Sequence, residues 1–448
     1  MEAGAVTEGS RDMKAEATAA PAQPRSRGLA TRMSANVWWT LLGTAANSAG
    51  TWLVIVILAR ARGPAAVGVY ALALALTAPV MCFASLQMRT LLASDMQRKY
   101  SLSEYLRVTW ITTVLGVLAC AAIAVFAARE TGGWAVLGAV LVMRAGEAFT
   151  EVYFGLWQRQ ERMKVIGVGR LIQASVTISF VGGAALLGGA VLSTAVGAAL
   201  GSVALVAYLY ASTIRARDID AAAAPGAAVP SWRRLTALSA EGLPLGVIML
   251  LGALQLNVPR YFVELHAGKT SLGLFAAATQ LTAAGNIFVA ALGAAALPRL
   301  ARLAGADERA FLSLTRKLVL GGVALGVAGV AASALIGRQV LVLLYRPEFG
   351  AAAHVLVVLS LAAAFNFAAS FLGYSLTASR IIAIQPVLLV ATLVVLLAGS
   401  AVLTPRHGAL GAAWALVASS SVQLALSAAA LRRPRWLRWR SAGSPRSA

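Results

Sequence analysis

The chain has 448 residues, 59% of them hydrophobic and only 12% charged, with a mean hydropathy of +0.77. A soluble protein carries about a quarter charged residues, so the composition excludes an ordinary soluble domain and indicates an integral membrane protein. The net charge of +21 would suggest nucleic acid in a soluble chain, but the basic residues gather in short connections and tails, the positive-inside pattern, and no nucleic acid is expected.

Residues 1–36 are polar, Ala-rich and of mixed charge, and read as a disordered cytoplasmic tail. No cleaved signal is visible, because a signal peptide would place its apolar run earlier. Twelve apolar stretches then follow, each near the roughly 20 residues that a bilayer needs. They are 37–58, 67–86, 108–128, 134–156, 166–187 and 191–210, then 240–263, 271–297, 318–336, 351–372, 382–403 and 410–431. The fourth is the most charged, holding Arg144, Glu147 and Glu151.

Between the sixth and seventh stretches lies DIDAAAAPGAAVP, low in complexity and rich in breakers, which reads as a linker. The expected organisation is a tail (1–36), an N-lobe of six spans (37–210), a cytoplasmic linker (211–239), a C-lobe of six spans (240–431) and a basic tail (432–448). Basic residues on the side that holds both tails far outnumber those on the other. Both termini are therefore expected in the cytoplasm.

The chain repeats itself. LARARGPAAVGVYALALALTA begins at Leu58 and VELHAGKTSLGLFAAATQLTA at Val263. Gly63 falls on Gly268, Gly68 on Gly273, Tyr70 on Phe275 and Thr77 on Thr282. This offset carries span one onto span seven and span two onto span eight. Six helices return a chain to its starting side, so the two lobes should share one orientation, a parallel repeat. The expected fold is an all-α membrane protein of about twelve helices in two parallel six-helix lobes.

Cys82 and Cys120 lie inside apolar stretches, and His266, His354 and His407 are far apart. No disulfide framework, zinc spacing or phosphate-cradling loop is visible, so no metal or cofactor is expected. Charges within a span are costly and are candidates for function. Arg144, Glu147 and Glu151 share one helical face. Arg170 enters the next span at a depth where it can pair with Glu151. These residues read either as self-neutralised ion pairs or as a site in which a glutamate binds H+ or Na+. In the seventh span, Pro244 and Pro259 are expected to break the helix, with Gln255, Asn257 and Arg260 in its second half. Broken helices build binding sites in transporters. Gln280 and Asn286 of the eighth span could share that space. Arg60 and Arg62 read as arginines reaching toward lipid phosphates, and the same plain reading is open for Arg89, just below the second span.

The chain resembles the polysaccharide flippases of the multidrug/oligosaccharidyl-lipid/polysaccharide exporter superfamily. The resemblance rests on LARARGPAAVGVYALALAL after span one, QMRTLLASD after span two, GLWQRQERM after span four, GLPLGVIMLLGALQLNVPRYFVE in span seven, GLFAAATQL in span eight and HGALGAAWAL opening span twelve. It implies a transporter, not an enzyme, that moves a polyprenyl-pyrophosphate-linked oligosaccharide between leaflets for surface polysaccharide such as O-antigen or exopolysaccharide. It also implies a cationic cavity, for which Arg144, Arg170 and Arg260 are the candidate lining with Asn257, Gln280 and Asn286. Glu147 and Glu151 are the candidate ion-coupling residues, and partner glycosyltransferases or a glycan polymerase of the same pathway are implied. The competing readings are an ion-coupled multidrug antiporter and a membrane-embedded glycan polymerase or ligase. The few outer-loop carboxylates and the absence of paired acid/base residues weigh against the enzyme.

Overall fold

The computed structural model describes residues 26–127, 134–189, 191–216, 231–381 and 384–432. The terminal tails before residue 26 and after 432, and linker residues 217–230, lie outside the described residues. The elements are α1 (Ser26–Ala84), α2 (Met88–Ser94), α3 (Leu102–Ala127), α4 (Trp134–Arg159), α5 (Met163–Leu186) and α6 (Val191–Arg215). They continue with α7 (Trp232–Ala306), α8 (Glu308–Leu344), a 3-10 turn (Pro347–Ala352), α9 (Ala353–Ala378) and α10 (Gln385–Arg432). No strand occurs among the described residues.

The 59 residues of α1 would reach about 88 Å as a straight rod, nearly three hydrocarbon cores. The chain turns instead at Gly63, whose φ and ψ are 78° and −172°. α7 turns in the same way at Gly268 (76°, 176°), and α10 at Gly408 (56°, −135°). Such backbone is nearly closed to residues with a Cβ. Among the described residues eight helical stretches are long and apolar enough to cross a bilayer. Three of these are bent pairs, which makes eleven arms, and α4 with its charged stripe is the twelfth. The fold is therefore the expected twelve-helix plan.

The repeat extends further than the motif. Among the described residues four glycines have positive φ: Gly63, Gly188, Gly268 and Gly408. Gly63 matches Gly268 in the first hairpin of each lobe, and Gly188 matches Gly408 in the last. Glu161 (φ 56°) and Arg380 (φ 58°) likewise share left-handed backbone in the turn after each lobe's fourth span. The spacing of these matched positions grows along the chain, because α8, the 3-10 turn and their connection make the middle of the C-lobe longer.

Helices α1 and α3–α6 pack on one another, α7–α10 do the same, and the two sets meet chiefly where α1 faces α7. Lipid offers no hydrophobic drive to bring helices together, so close approach at small residues holds the lobes. Gly43 and Gly50 of α1 lie against Gly167 and Ala174 of α5, Gly201 of α6 against Thr177 and Gln173, and Gly326 of α8 against Ala364 of α9. Tyr261 of α7 donates to the Ala75 carbonyl of α1 at 2.5 Å. Many apolar side chains on α8 face outward, among them Leu320, Val327 and Leu335, as suits a lipid-contacting helix. Asp307 caps α8 by accepting from the Ala310 amide at 3.0 Å.

Three expectations need correction. Helix α1 begins at Ser26, inside the segment read as tail; residues 26–36 hold no proline and several good helix formers. Pro244 and Pro259 do not break the seventh span: both lie inside α7, whose one non-helical residue is Gly268. A proline removes a single backbone hydrogen bond, and neighbouring helices tolerate the freed carbonyl. Arg60 and Arg62 do not reach toward lipid. Arg60 donates to the carbonyls of Leu343 and Leu344, and Arg62 to those of Gly188 and Gly189. Arg60 thus caps the C-terminus of α8, where carbonyls are unpaired and the dipole favours a cation, and Arg62 ties down the turn that follows α5.

Candidate functional site

The charged stripe of α4 builds the site. Arg144, Glu147, Glu151, Phe154 and Gln158 recur at alternating steps of three and four, which keeps them on one face of a helix. Arg144 Nη1 donates to Glu147 Oε2 at 2.9 Å within the helix. Glu151 is shared: Oε2 lies 3.1 Å from Arg89 Nη1 of α2, and Oε1 lies 3.4 Å from Arg170 Nη2 of α5. Arg170 also donates to Asn47 Oδ1 at 2.9 Å and Gln173 Oε1 at 3.1 Å. Arg89 Nε donates to Gln158 Oε1 at 3.1 Å.

Phe154 is fully buried and its ring is reached by both of these arginines. The Arg170 guanidinium stands 4.6 Å and that of Arg89 5.4 Å from its ring centroid, within range of cation–π attraction. One helix thus presents a carboxylate and an aromatic ring that together orient two cations from two other helices.

These groups open onto a cavity of about 420 Å³. Its polar lining includes Asn47 and Thr51 of α1, Arg89 of α2, Arg144, Glu147, Thr150 and Glu151 of α4, and Arg170 of α5, while Met249 of α7 contributes from the C-lobe. Three arginines against two glutamates leave the lining with one net positive charge.

Arg260 of α7 is not in that lining. It donates to Asn257 Oδ1 at 3.2 Å, and Asn257 donates onward to the Ala253 carbonyl at 2.8 Å. No salt bridge to Arg260 occurs among the described residues. Its Nε, like that of Arg144, is buried without a hydrogen-bond partner among them. Gln255 is tied to Thr392 of α10 at 3.2 Å. Asn286 is exposed and pairs with Asn366 of α9 at 3.3 Å. Gln280 is half-buried on the second arm of α7, outside the cavity lining.

The structure therefore brings together Arg144, Glu147, Glu151 and Arg170. It leaves Arg260 with Asn257 nearby, and does not gather Gln280 or Asn286 with them. Arg89, for which the sequence leaves a lipid-facing reading open, sits on Glu151 and Gln158. The signal that could have found its partners was the α4 stripe, which continues past Glu151 to Phe154 and Gln158.

A second charged group lies at the start of α7. Arg234 pairs with Glu104, whose side chain is 4% exposed, and donates to the Lys99 carbonyl at 2.7 Å. Lys99 meets Glu241 at 2.5 Å, and that carboxylate holds the Lys99 ammonium above its ordinary pKa. Tyr100 also donates to Glu241, at 2.9 Å. These contacts fasten the α2–α3 connection of the N-lobe to the C-lobe.

Long apolar helices in two lobes around charged intramembrane groups define a multi-pass, all-helical membrane protein. More narrowly, the chain belongs to the polysaccharide biosynthesis protein family, whose model matches residues 33–304. It is 26% identical over 382 residues to the capsular polysaccharide biosynthesis protein CapF of Staphylococcus aureus, covering 83% of this chain and 92% of that one. Its fold is similar to that of the lipid II flippase MurJ in an inward closed conformation, with a TM-score of 0.72 at 11% identity over 90% of this chain and 89% of that one. It is also similar to an inward-facing multidrug resistance MATE family transporter, with a TM-score of 0.63 at 13% identity over 91% of this chain and all of that one. Both structural likenesses concern the fold.

Proposed function

We propose that this protein is a flippase that carries a polyprenyl-pyrophosphate-linked oligosaccharide from the cytoplasmic to the outer leaflet of the bacterial cytoplasmic membrane. Membership of the polysaccharide biosynthesis protein family supports surface polysaccharide as the destination. The observation that carries the reading is the excess of arginine over carboxylate at membrane depth, with buried Nε donors on Arg144 and Arg260 left unpaired. Unpaired buried donors and an uncompensated cation are costly, and an anionic headgroup would satisfy both. Arginine's planar fork suits phosphate oxygens. Arg144, Arg170 and Arg89 would hold the pyrophosphate, with Arg260 and Asn257 approaching from the other lobe, while the lipid tail stays between helices. The lobes would rock about this site in alternating access, with Glu147 or Glu151 available to couple the movement to H+ or Na+. Both termini would lie in the cytoplasm, where glycosyltransferases of the pathway would deliver substrate.

The test is the leaflet of the stalled intermediate. Deleting the gene should trap complete lipid-linked oligosaccharide on the cytoplasmic leaflet, measured by accessibility on each side of sealed vesicles. Complete single units on the outer leaflet would instead indicate a polymerase or ligase. Unchanged glycans with altered drug accumulation would indicate an antiporter.

A further inference from the structure

Glu151 occupies the place where an anionic ligand of Arg89 and Arg170 would sit. Each of its carboxylate oxygens faces a different guanidinium, at 3.1 and 3.4 Å. The two arginines are not held by Glu151 alone: Asn47, Gln173, Gln158 and the Phe154 ring also fix their planes. If Glu151 swung away, its partners would keep their positions. Its side chain is 36% exposed, against 18% for Arg170, so it has room to leave toward the cavity. Charge makes leaving necessary. A diphosphate diester carries two negative charges, and the lining in its present state offers one net positive charge.

We propose that Glu151 is an exchangeable counter-anion. It neutralises Arg89 and Arg170 while the cavity is empty, and is displaced by the headgroup diphosphate with uptake of one proton from water. This inference rests on the flippase reading and specifies what the substrate must replace. The exchange leaves Arg89, Arg144 and Arg170 opposed by Glu147 alone, which matches the charge of the diester. The ionisable groups facing Glu151 are Arg89 from α2, Arg170 from α5, Cys82 from α1, and Arg144 and Glu147 from its own helix. Glu147 is engaged by Arg144 one turn away and bridges no second helix, which singles out Glu151 for the swap.

The experiment measures binding of farnesyl-diphospho-glucose, whose phosphates do not titrate near neutral pH, to the full-length protein in phosphatidylcholine nanodiscs. A proton taken up on binding makes affinity highest at low pH. Where a full proton is taken up, the affinity falls about tenfold for each unit that the pH rises. Glu151→Gln should abolish this slope and bind at least tenfold more tightly at pH 8, whereas Glu147→Gln should keep the slope. A Glu151→Gln protein with the wild-type slope, or with weaker binding at pH 8, overturns the exchange while leaving the flippase reading intact. Absence of binding by the wild type at every pH overturns both. Calorimetry of the wild type in buffers of different ionisation enthalpy tests the exchange without any variant: uptake approaching one proton per ligand supports it, and zero uptake overturns it.

Discussion

Gly68 and Gly273, equivalent positions of the repeat, face each other across the junction of the two lobes. A Cβ on Gly68 would fall 1.9 Å from the Lys269 carbonyl oxygen, and one on Gly273 would fall 1.8 Å from that of Pro64. Pro64 and Lys269 are themselves equivalent in the repeat. The contact is thus self-complementary, as in a two-fold dimer interface, although one chain makes both sides. Gly68→Ala or Gly273→Ala must push the lobes apart at this end. Such overpacking costs roughly 1–3 kcal/mol, and a lowered melting temperature in detergent is expected. Gly252→Ala is the control, since no atom lies within 4 Å of its added Cβ, and it should melt like the wild type.

The bend at Gly268 separates strain from space. Nothing surrounds its added Cβ within 4 Å, yet its φ is 76°. Gly268→Ala should therefore destabilise through backbone alone, by about 1–3 kcal/mol. A melting temperature equal to the wild type's would show that the turn relaxes into ordinary backbone.

Arg60 links the lobes by donating from α1 to the last carbonyls of α8. Val263 is fully buried beneath this end. In a Val263→Cys background, Arg60→Ala should raise labelling by a membrane-impermeant thiol reagent several-fold. Unchanged labelling would mean that the Gly68–Gly273 contact closes this end unaided.

Arg144→Ala and Arg260→Ala should each stop export of surface glycan while folded protein persists in the membrane. Export and protein level are measured together. Normal export from both variants would remove these arginines from the proposed site.

Arg234→Ala would leave the Glu104 carboxylate buried without its cation. Ser101 still donates to that carboxylate, from its amide at 2.8 Å and its hydroxyl at 3.0 Å, which moderates the loss to roughly 1–3 kcal/mol. The removal of both charges by Arg234→Met with Glu104→Leu should recover much of it. Equal melting of the single and double variants would show that the pair contributes nothing beyond packing.

Hydropathy and repeat determined much of this protein by themselves. Apolar runs of bilayer length fix the number of spans, because a membrane leaves helices as the way to satisfy the backbone of such a sequence. The glycine pair at 63 and 268 marked the repeated hairpin, since φ near +77° is a demand on one residue and shows locally in sequence. The α4 stripe was legible for the same reason: Arg144, Glu147 and Glu151 are neighbours on one helix. Tertiary structure decided which charges meet between helices. Nothing local distinguishes Arg89, which joins Glu151, from Arg60, which caps α8. Both stand at the end of an apolar run, and only the packing of the helices puts a carboxylate near one and free carbonyls near the other. It also decided that Pro259 stays within a continuous helix and that Asn286 turns to Asn366. The interaction of a long polar side chain is set by what lies within a few ångströms, and in a bundle of twelve helices that is fixed by the fold.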